Sequence, residues 1–227
     1  MKTLKRITFA TLFSAGILLS APAGAQQKEL RKIEASTIVL KDFGAMKESI
    51  PSQLLEITEG IIIIPKMINA GLVVGGKRGK GIAMVKGAGG VWSDPVFITL
   101  TGGSFGFQAG VQAVDLVLIF KHKESLMNIT KSSFTLGGDI SVAAGPLGRN
   151  STASTDYKLE AEVYSYSRSK GLFAGISLNG AALEIDDKAA TDFYGEEVSS
   201  TTLFKGASKT KSGEVSALKS TLSHLYE

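Results

Sequence analysis

The chain has no cysteine, which excludes a disulfide framework, thiolate metal sites and a lipid-modified cysteine tether. Histidine is almost as scarce. His122 and His224 are far apart and form no H-x-x-x-H spacing, so the histidine-based zinc patterns are missing too. There is one tryptophan, Trp92, and there are five prolines. No apolar run approaches the roughly 20 residues of a membrane-spanning helix. The isoleucine run 61–64 ends at Pro65, and the N-terminal run 7–19 is interrupted at Gly16. Stability must therefore come from packing, and no metal or cofactor is expected.

The N-terminus has the three parts of a secretion signal. Lys2, Lys5 and Arg6 form a basic start, residues 7–19 are apolar, and Ala23-Gly24-Ala25 supplies the small residues of a cleavage site. Pro22 is expected to break any helix ahead of that site. The alternative is an uncleaved anchor, against which the short, glycine-interrupted run argues. The sequence thus predicts a signal at 1–25 and one domain at 26–227, of ordinary size for a single core. The formal net charge is +4, and removing Lys2, Lys5 and Arg6 leaves +1. Most of the basicity belongs to export, so the composition does not describe a nucleic-acid binder.

Residues 26–46 read as a helix, with Leu30, Ile33, Leu40 and Phe43 recurring near helical spacing among Lys28, Arg31, Lys32 and Lys41. That helix could lie on a membrane or pack against a sheet. A second short helix is expected at 52–58 after Pro51. From Gly60 onward the pattern is β. Short runs at 61–64, 72–74, 82–85, 96–101 and 114–120 alternate with glycine clusters, which predicts an antiparallel sheet with turns at the glycines. The same texture returns at 134–144, 156–168 and 172–185. Short helices are expected at 123–129 and 186–194, and an amphipathic helix over 212–226, where Val215, Leu218, Leu222 and Leu225 share a face. The fold class that follows is α+β: predominantly antiparallel β, curled or barrel-like, with flanking N- and C-terminal helices.

Catalytic motifs are poorly supported. The stretch Gly75-Gly76-Lys77-Arg78-Gly79-Lys80-Gly81 has Val74 where a phosphate-binding loop needs glycine, and Gly81 where it needs Ser or Thr. Ser167-Arg168-Ser169-Lys170 matches S-x-x-K, but neither companion motif, S-D-N or K-T-G, is present. The chain reads as a non-enzyme. Between positions 61 and 93, however, five basic residues (Lys66, Lys77, Arg78, Lys80 and Lys86) occur with no acidic one. As a basic, glycine-rich hairpin this stretch could present amides and cations to an anion, or it could be a solvated turn. Arg149, Arg168 and Lys170 are secondary candidates for a basic rim, or for structural hydrogen bonding. Trp92 fits either an interfacial anchor or a partly buried core position.

Several motifs resemble the SYLF domain family. They are Ile64-Pro65-Lys66, Gly102-Gly103-Ser104-Phe105-Gly106-Phe107-Gln108-Ala109-Gly110, Asp115-Leu116-Val117, Phe134-Thr135-Leu136-Gly137-Gly138 and Ser141-Val142-Ala143-Ala144-Gly145-Pro146. Gly148-Arg149-Asn150, the run from Tyr164 through Arg168 to Gly175, and Phe193-Tyr194-Gly195 continue the match, which covers roughly residues 31–205. The family is a lipid-binding module of bacterial exported proteins and of eukaryotic membrane-traffic and actin-patch proteins. The resemblance implies a β-rich α+β domain that binds phospholipid headgroups. For an exported chain it implies a periplasmic, peripherally membrane-associated protein that meets anionic phospholipid and not actin or nucleic acid. An envelope interaction protein holding a protein partner is the alternative.

Overall fold

Four consecutive isoleucines suit a strand only if both of its faces are buried, and the fold supplies two cores to bury them. In the computed structural model, which describes residues 21–46, 50–131, 133–145, 159–173, 176–195, 198–206 and 209–225, Ile62 and Ile64 point to one cluster with Leu116, Leu118 and Ile98. Ile61 and Ile63 point to another, with Ile33, Leu40 and Phe43. The first cluster fills the inside of a strongly curled sheet. The second lies between its outer face and the helices.

The sheet is built on two long strands, β1 (Gly60–Val85) and β2 (Val96–Phe120), paired antiparallel along almost their whole length. This differs from the five short strands expected in this region. The glycine clusters at 75–76 and 102–103 do not turn the chain; Gly76 faces Gly103 within the ladder. What they permit is bending. The hairpin folds over itself, so that a Cβ on Gly81 would lie 2.1 Å from the Ile63 carbonyl oxygen and one on Gly79 would lie 2.4 Å from the Ile64 side chain. Pro65 does not end the strand either. It sits in a bulge where the register shifts between Ile64 and Met67, the position at which a strand tolerates a residue without an N–H.

β3 (Phe134–Leu136), β4 (Val142–Ala144), β5 (Val163–Ser169), β6 (Leu172–Phe173) and β7 (Ala181–Ile185) complete a seven-stranded sheet. Its path runs β3-β7-β2-β5-β4, with β1 on β2 and β6 on β5. All pairings are antiparallel except β4 with β5. The two ends of that path, β3 and β4, follow one another in the chain through a turn, in which the Gly137 amide donates to the Ile140 carbonyl at 2.8 Å. The sheet thereby curls into a nearly closed barrel, as the sequence predicts.

Helices cover the outer face. α1 (Ala21–Ala45) is helical on the N-terminal side of Gln26, where the sequence places its start; what Pro22 does to the segment before it lies outside the described residues. Its buried residues Ile33, Leu40 and Phe43 face the sheet. α2 (Ser52–Glu56) and α3 (Lys123–Met127) lie where the sequence places helices. So do α4 (Asp187–Tyr194), capped by Asp186, and α6 (Gly213–His224), capped by Ser212. α5 (Ser200–Phe204) is an addition. Among the described residues no helix is long and apolar enough to cross a membrane.

Candidate functional site

The glycine-rich stretch 75–81 is extended backbone in the middle of β1 and not a hairpin. The hairpin reading fails because each of these residues has a partner across the ladder, from Gly75 opposite Ser104 to Gly81 opposite Ile98. The turn joining β1 to β2 comes later. There Lys86 bridges to Trp92 around a short 3-10 segment at Ala88–Gly90.

A strand separates alternate side chains onto opposite faces, so Lys77 is turned inward while Arg78 and Lys80 share the outward side. Lys77 is only 6 % exposed, and its ammonium donates to the Ser177 carbonyl. Desolvation lowers its pKa from the ordinary lysine value. Arg78 is exposed, and its side chain has no hydrogen-bonding partner among the described residues. Lys80 donates to Asp186 at 2.5 Å. Burial of that carboxylate opposes its ionisation, but Lys80, the Ala189 amide and the charge of Lys32 outweigh burial, and its pKa falls below the usual range. Lys86 lies 5.6 Å from the centre of the buried Trp92 ring. Burial lowers its pKa, and Glu59 acts in the opposite direction.

Among the secondary candidates, Arg149 lies outside the described residues. Arg168 is the centre of a bonded network. Its guanidinium donates to Asp42 at 2.6 Å and to Asp115 at 2.8 Å, and stacks 5.8 Å from the Phe43 ring. Asp115 also accepts the Lys66 amide at 2.9 Å. One carboxylate therefore fixes the bulge of β1 while its other oxygen holds β5, and Asp42 ties in the end of α1. Burial alone would lower the pKa of Arg168, but the two carboxylates more than reverse this and raise it. Lys170 and Gly171, with φ of 50° and 79°, form the two central positions of the turn between β5 and β6, a type I′ geometry. The Lys170 side chain is exposed.

Of the nominated cations, three are thus exposed with no carboxylate partner among the described residues: Arg78, Lys170 and Lys66. The composition of the 61–93 stretch singles out Lys66 and Arg78, and the β5–β6 turn explains the exposure of Lys170. Asp42 and Asp115 carry no signal in their spacing. A proline inside a β run, followed at distance by a lone aspartate in the partner strand, is the one hint of their role. Among the described residues no three His, Asp or Glu side chains gather to hold a metal. A depression of about 350 Å³ is lined by Thr130, Lys131, Ser133, Glu184, Asp187 and Ser199, and includes none of the nominated residues.

The chain is similar to known proteins over most of this fold. Residues 101–225 match the family model described as Ysc84, Las17-binding protein actin regulator. The SH3 domain-containing YSC84-like protein 1 of Xenopus laevis is 36 % identical over 166 residues, covering 70 % of this chain and 49 % of that protein. LAS seventeen-binding protein 3 of Saccharomyces cerevisiae is 32 % identical over 185 residues, covering 80 % of this chain and 40 % of that protein. Protein YSC84 of the same yeast is 32 % identical over 188 residues, covering 82 % and 40 %. This chain spans less than half the length of these relatives; one of them is named for binding, and the family model is described as a binding protein and actin regulator. With the family model covering more than half of its residues and motifs in order along both long strands, the chain belongs to the Ysc84/SYLF domain family.

Proposed function

We propose that this chain is an exported, non-catalytic domain that binds anionic phospholipid headgroups on a periplasmic membrane surface. Removal of residues 1–25 would take Ala21 to Ala25 from α1 and leave its packed face, from Glu29 onward, in place. The observation that carries the lipid reading is the exposure of Arg78 and Lys170, two cations with no neutralising carboxylate among the described residues. A cation near an anionic bilayer contributes about 1 kcal/mol. Lys77, Lys80, Lys86 and Arg168 are engaged within the fold and add long-range potential more than contacts; Arg149 stays a candidate contact.

Co-sedimentation of the mature protein with anionic vesicles tests this. Binding should weaken with salt, because charges in solvent are screened over about 8 Å at physiological ionic strength. Replacing both cations, R78Q with K170N, removes about 2 kcal/mol, roughly a thirtyfold loss in affinity. Asparagine suits the positive φ at 170, so the turn survives. Equal binding by the double variant, or none by the wild type to anionic vesicles, refutes the reading.

A second reading is an envelope protein that holds a protein partner. It is favoured by the relatives' names, which record Las17 binding and actin regulation for those proteins. Export would keep this chain from actin, so a partner would be an envelope protein, and pull-down with the mature chain from envelope extract tests it.

A further inference from the structure

The outer face of the sheet carries its helical cover only as far as the Arg168 network. Asp42, three residues before the end of α1, bonds to Arg168, and Arg168 stands opposite Asp115 on β2. Along the same face of β2 the next positions are Ala113 and Val111, which pair with Ile68 and Ala70 of β1. Side chains two apart on a strand share a face, so these four residues extend the face that α1 covers further back. Here it is bare. Ile68 is 45 % exposed and Val111 75 % exposed. The β5–β6 turn adjoins them, since the Ser169 hydroxyl donates to the Ala113 carbonyl at 3.2 Å. At that turn Leu172 is 73 % exposed. Only six large apolar residues of the described chain are exposed, and three of them lie at this end, Ile68 and Val111 on the outer face and Leu172 on the neighbouring turn.

The charge around them has one sign free. Lys66 on β1 and Lys170 beyond β5 lie on the two sides of β2, both exposed and both without a carboxylate partner among the described residues. The nearby acids Asp42 and Asp115 are both bonded to Arg168, which leaves these five groups with a net charge of +1. A second copy of the chain, docked symmetrically on this face, would bring Lys66 and Lys170 of both copies into one interface, and like charges across an interface oppose association. An anionic bilayer surface meets both features. Its headgroups take the lysines while its acyl boundary takes the apolar side chains.

We propose that the end of the barrel formed by Ile68, Val111 and Leu172, flanked by Lys66 and Lys170, enters the headgroup layer of an anionic membrane. This deepens the phospholipid reading above and rests on it. The apolar part of such an attachment is insensitive to salt screening, whereas the lysine part is not. Replacing V111S and L172S together is expected to weaken vesicle binding by about ten- to a hundredfold, in line with the loss of partly buried apolar side chains. Because both side chains are in solvent in the free protein, the fold should survive, which circular dichroism checks.

The absence of native cysteine allows a sharper test. V111C is labelled with an environment-sensitive fluorophore, and S216C, on the exposed side of α6, serves as the control. Both are mixed with vesicles of phosphatidylglycerol and phosphatidylethanolamine in equal parts, and with phosphatidylcholine alone. The expected result is a blue shift for the label at position 111 with the anionic vesicles only, quenched by lipids that carry a nitroxide high on the acyl chain, and no shift at 216. If the protein sediments with the anionic vesicles while the label at 111 stays aqueous, the insertion proposal is overturned and the lipid reading stands. If the protein fails to sediment, the lipid reading falls and takes this proposal with it. A concentration-dependent change at 111 without vesicles identifies a second copy on this face and overturns the proposal as well.

Discussion

Replacing Arg168 by alanine separates the structural use of a cation from its use as a lipid contact. The side chain is 14 % exposed and bonds to Asp115, 20 % exposed, and to Asp42, 42 % exposed. A hydrogen bond to a charged group contributes about 1.5–3 kcal/mol to stability, and the more buried Asp115 contact falls in that range. The Asp42 contact is closer to a surface pair, worth at most about 1 kcal/mol. Asp115 keeps the Lys66 amide, so its charge is not left bare. The expected loss is about 2–3 kcal/mol for R168A. R168M, which keeps the stem against Phe43, should lose somewhat less. With a urea slope of about 2 kcal/mol/M, this moves the unfolding midpoint by about 1–1.5 M. D42A should cost under about 1 kcal/mol, and should lose most of its effect in high salt. An unchanged midpoint in R168A, together with lost vesicle binding, would refute the reasoning and return Arg168 to the lipid surface.

Two further outcomes follow from packing and burial. G81A places a methyl group 2.1 Å from the Ile63 carbonyl oxygen, and backbone in a ladder cannot step aside, so a loss of about 3 kcal/mol or more is expected in urea unfolding. G103A meets nothing within 4 Å and should stabilise by about 0.4–1 kcal/mol through the unfolded chain; opposite signs for the two are the check. Lys77 has its pKa lowered by desolvation, so the cost of keeping it charged is present in full below its folded pKa. That cost is relieved as pH rises through the folded pKa toward the unfolded value of about 10.4. Wild-type stability should therefore carry a component that increases with pH in that window. K77M should remove the component and match or exceed the wild type at pH 7, as thermal unfolding at several pH values would record.

Most of the elements were legible from local pattern. The 3.6-residue spacing of Ile33, Leu40 and Phe43, and that of Val215, Leu218 and Leu222, marked α1 and α6 as amphipathic because those side chains are apolar on one face only; that α1 packs on the sheet, with α6 against α1, came from the fold. The glycine cluster at 87–90 does turn the chain, but those at 75–76 and 102–103 misled. Glycine marks both a turn and a bend within a strand, and the two are distinguished by whether a distant segment, here 102–103, supplies the ladder bonds. The same distance dependence governs the basic stretch. The composition of 61–93 shows five cations, but their fate depends on groups a hundred or more residues away: Ser177 for Lys77 and Asp186 for Lys80. α5 went unnoticed because its five residues are too few to show a period.

The sequence alone determined the β-rich α+β class, the flanking helices and the family. Each of these is written in short-range spacing or in motifs whose order survives without coordinates. Tertiary structure alone decided that residues 60–85 are one bent strand, that Arg168 locks α1 and the bulge of β1 to β5, and which cations face solvent. Exposure and pairing are properties of where distant segments meet. A side chain's charge is fixed by its own chemistry, but whether that charge is free to meet a ligand is fixed by the partner the fold brings to it.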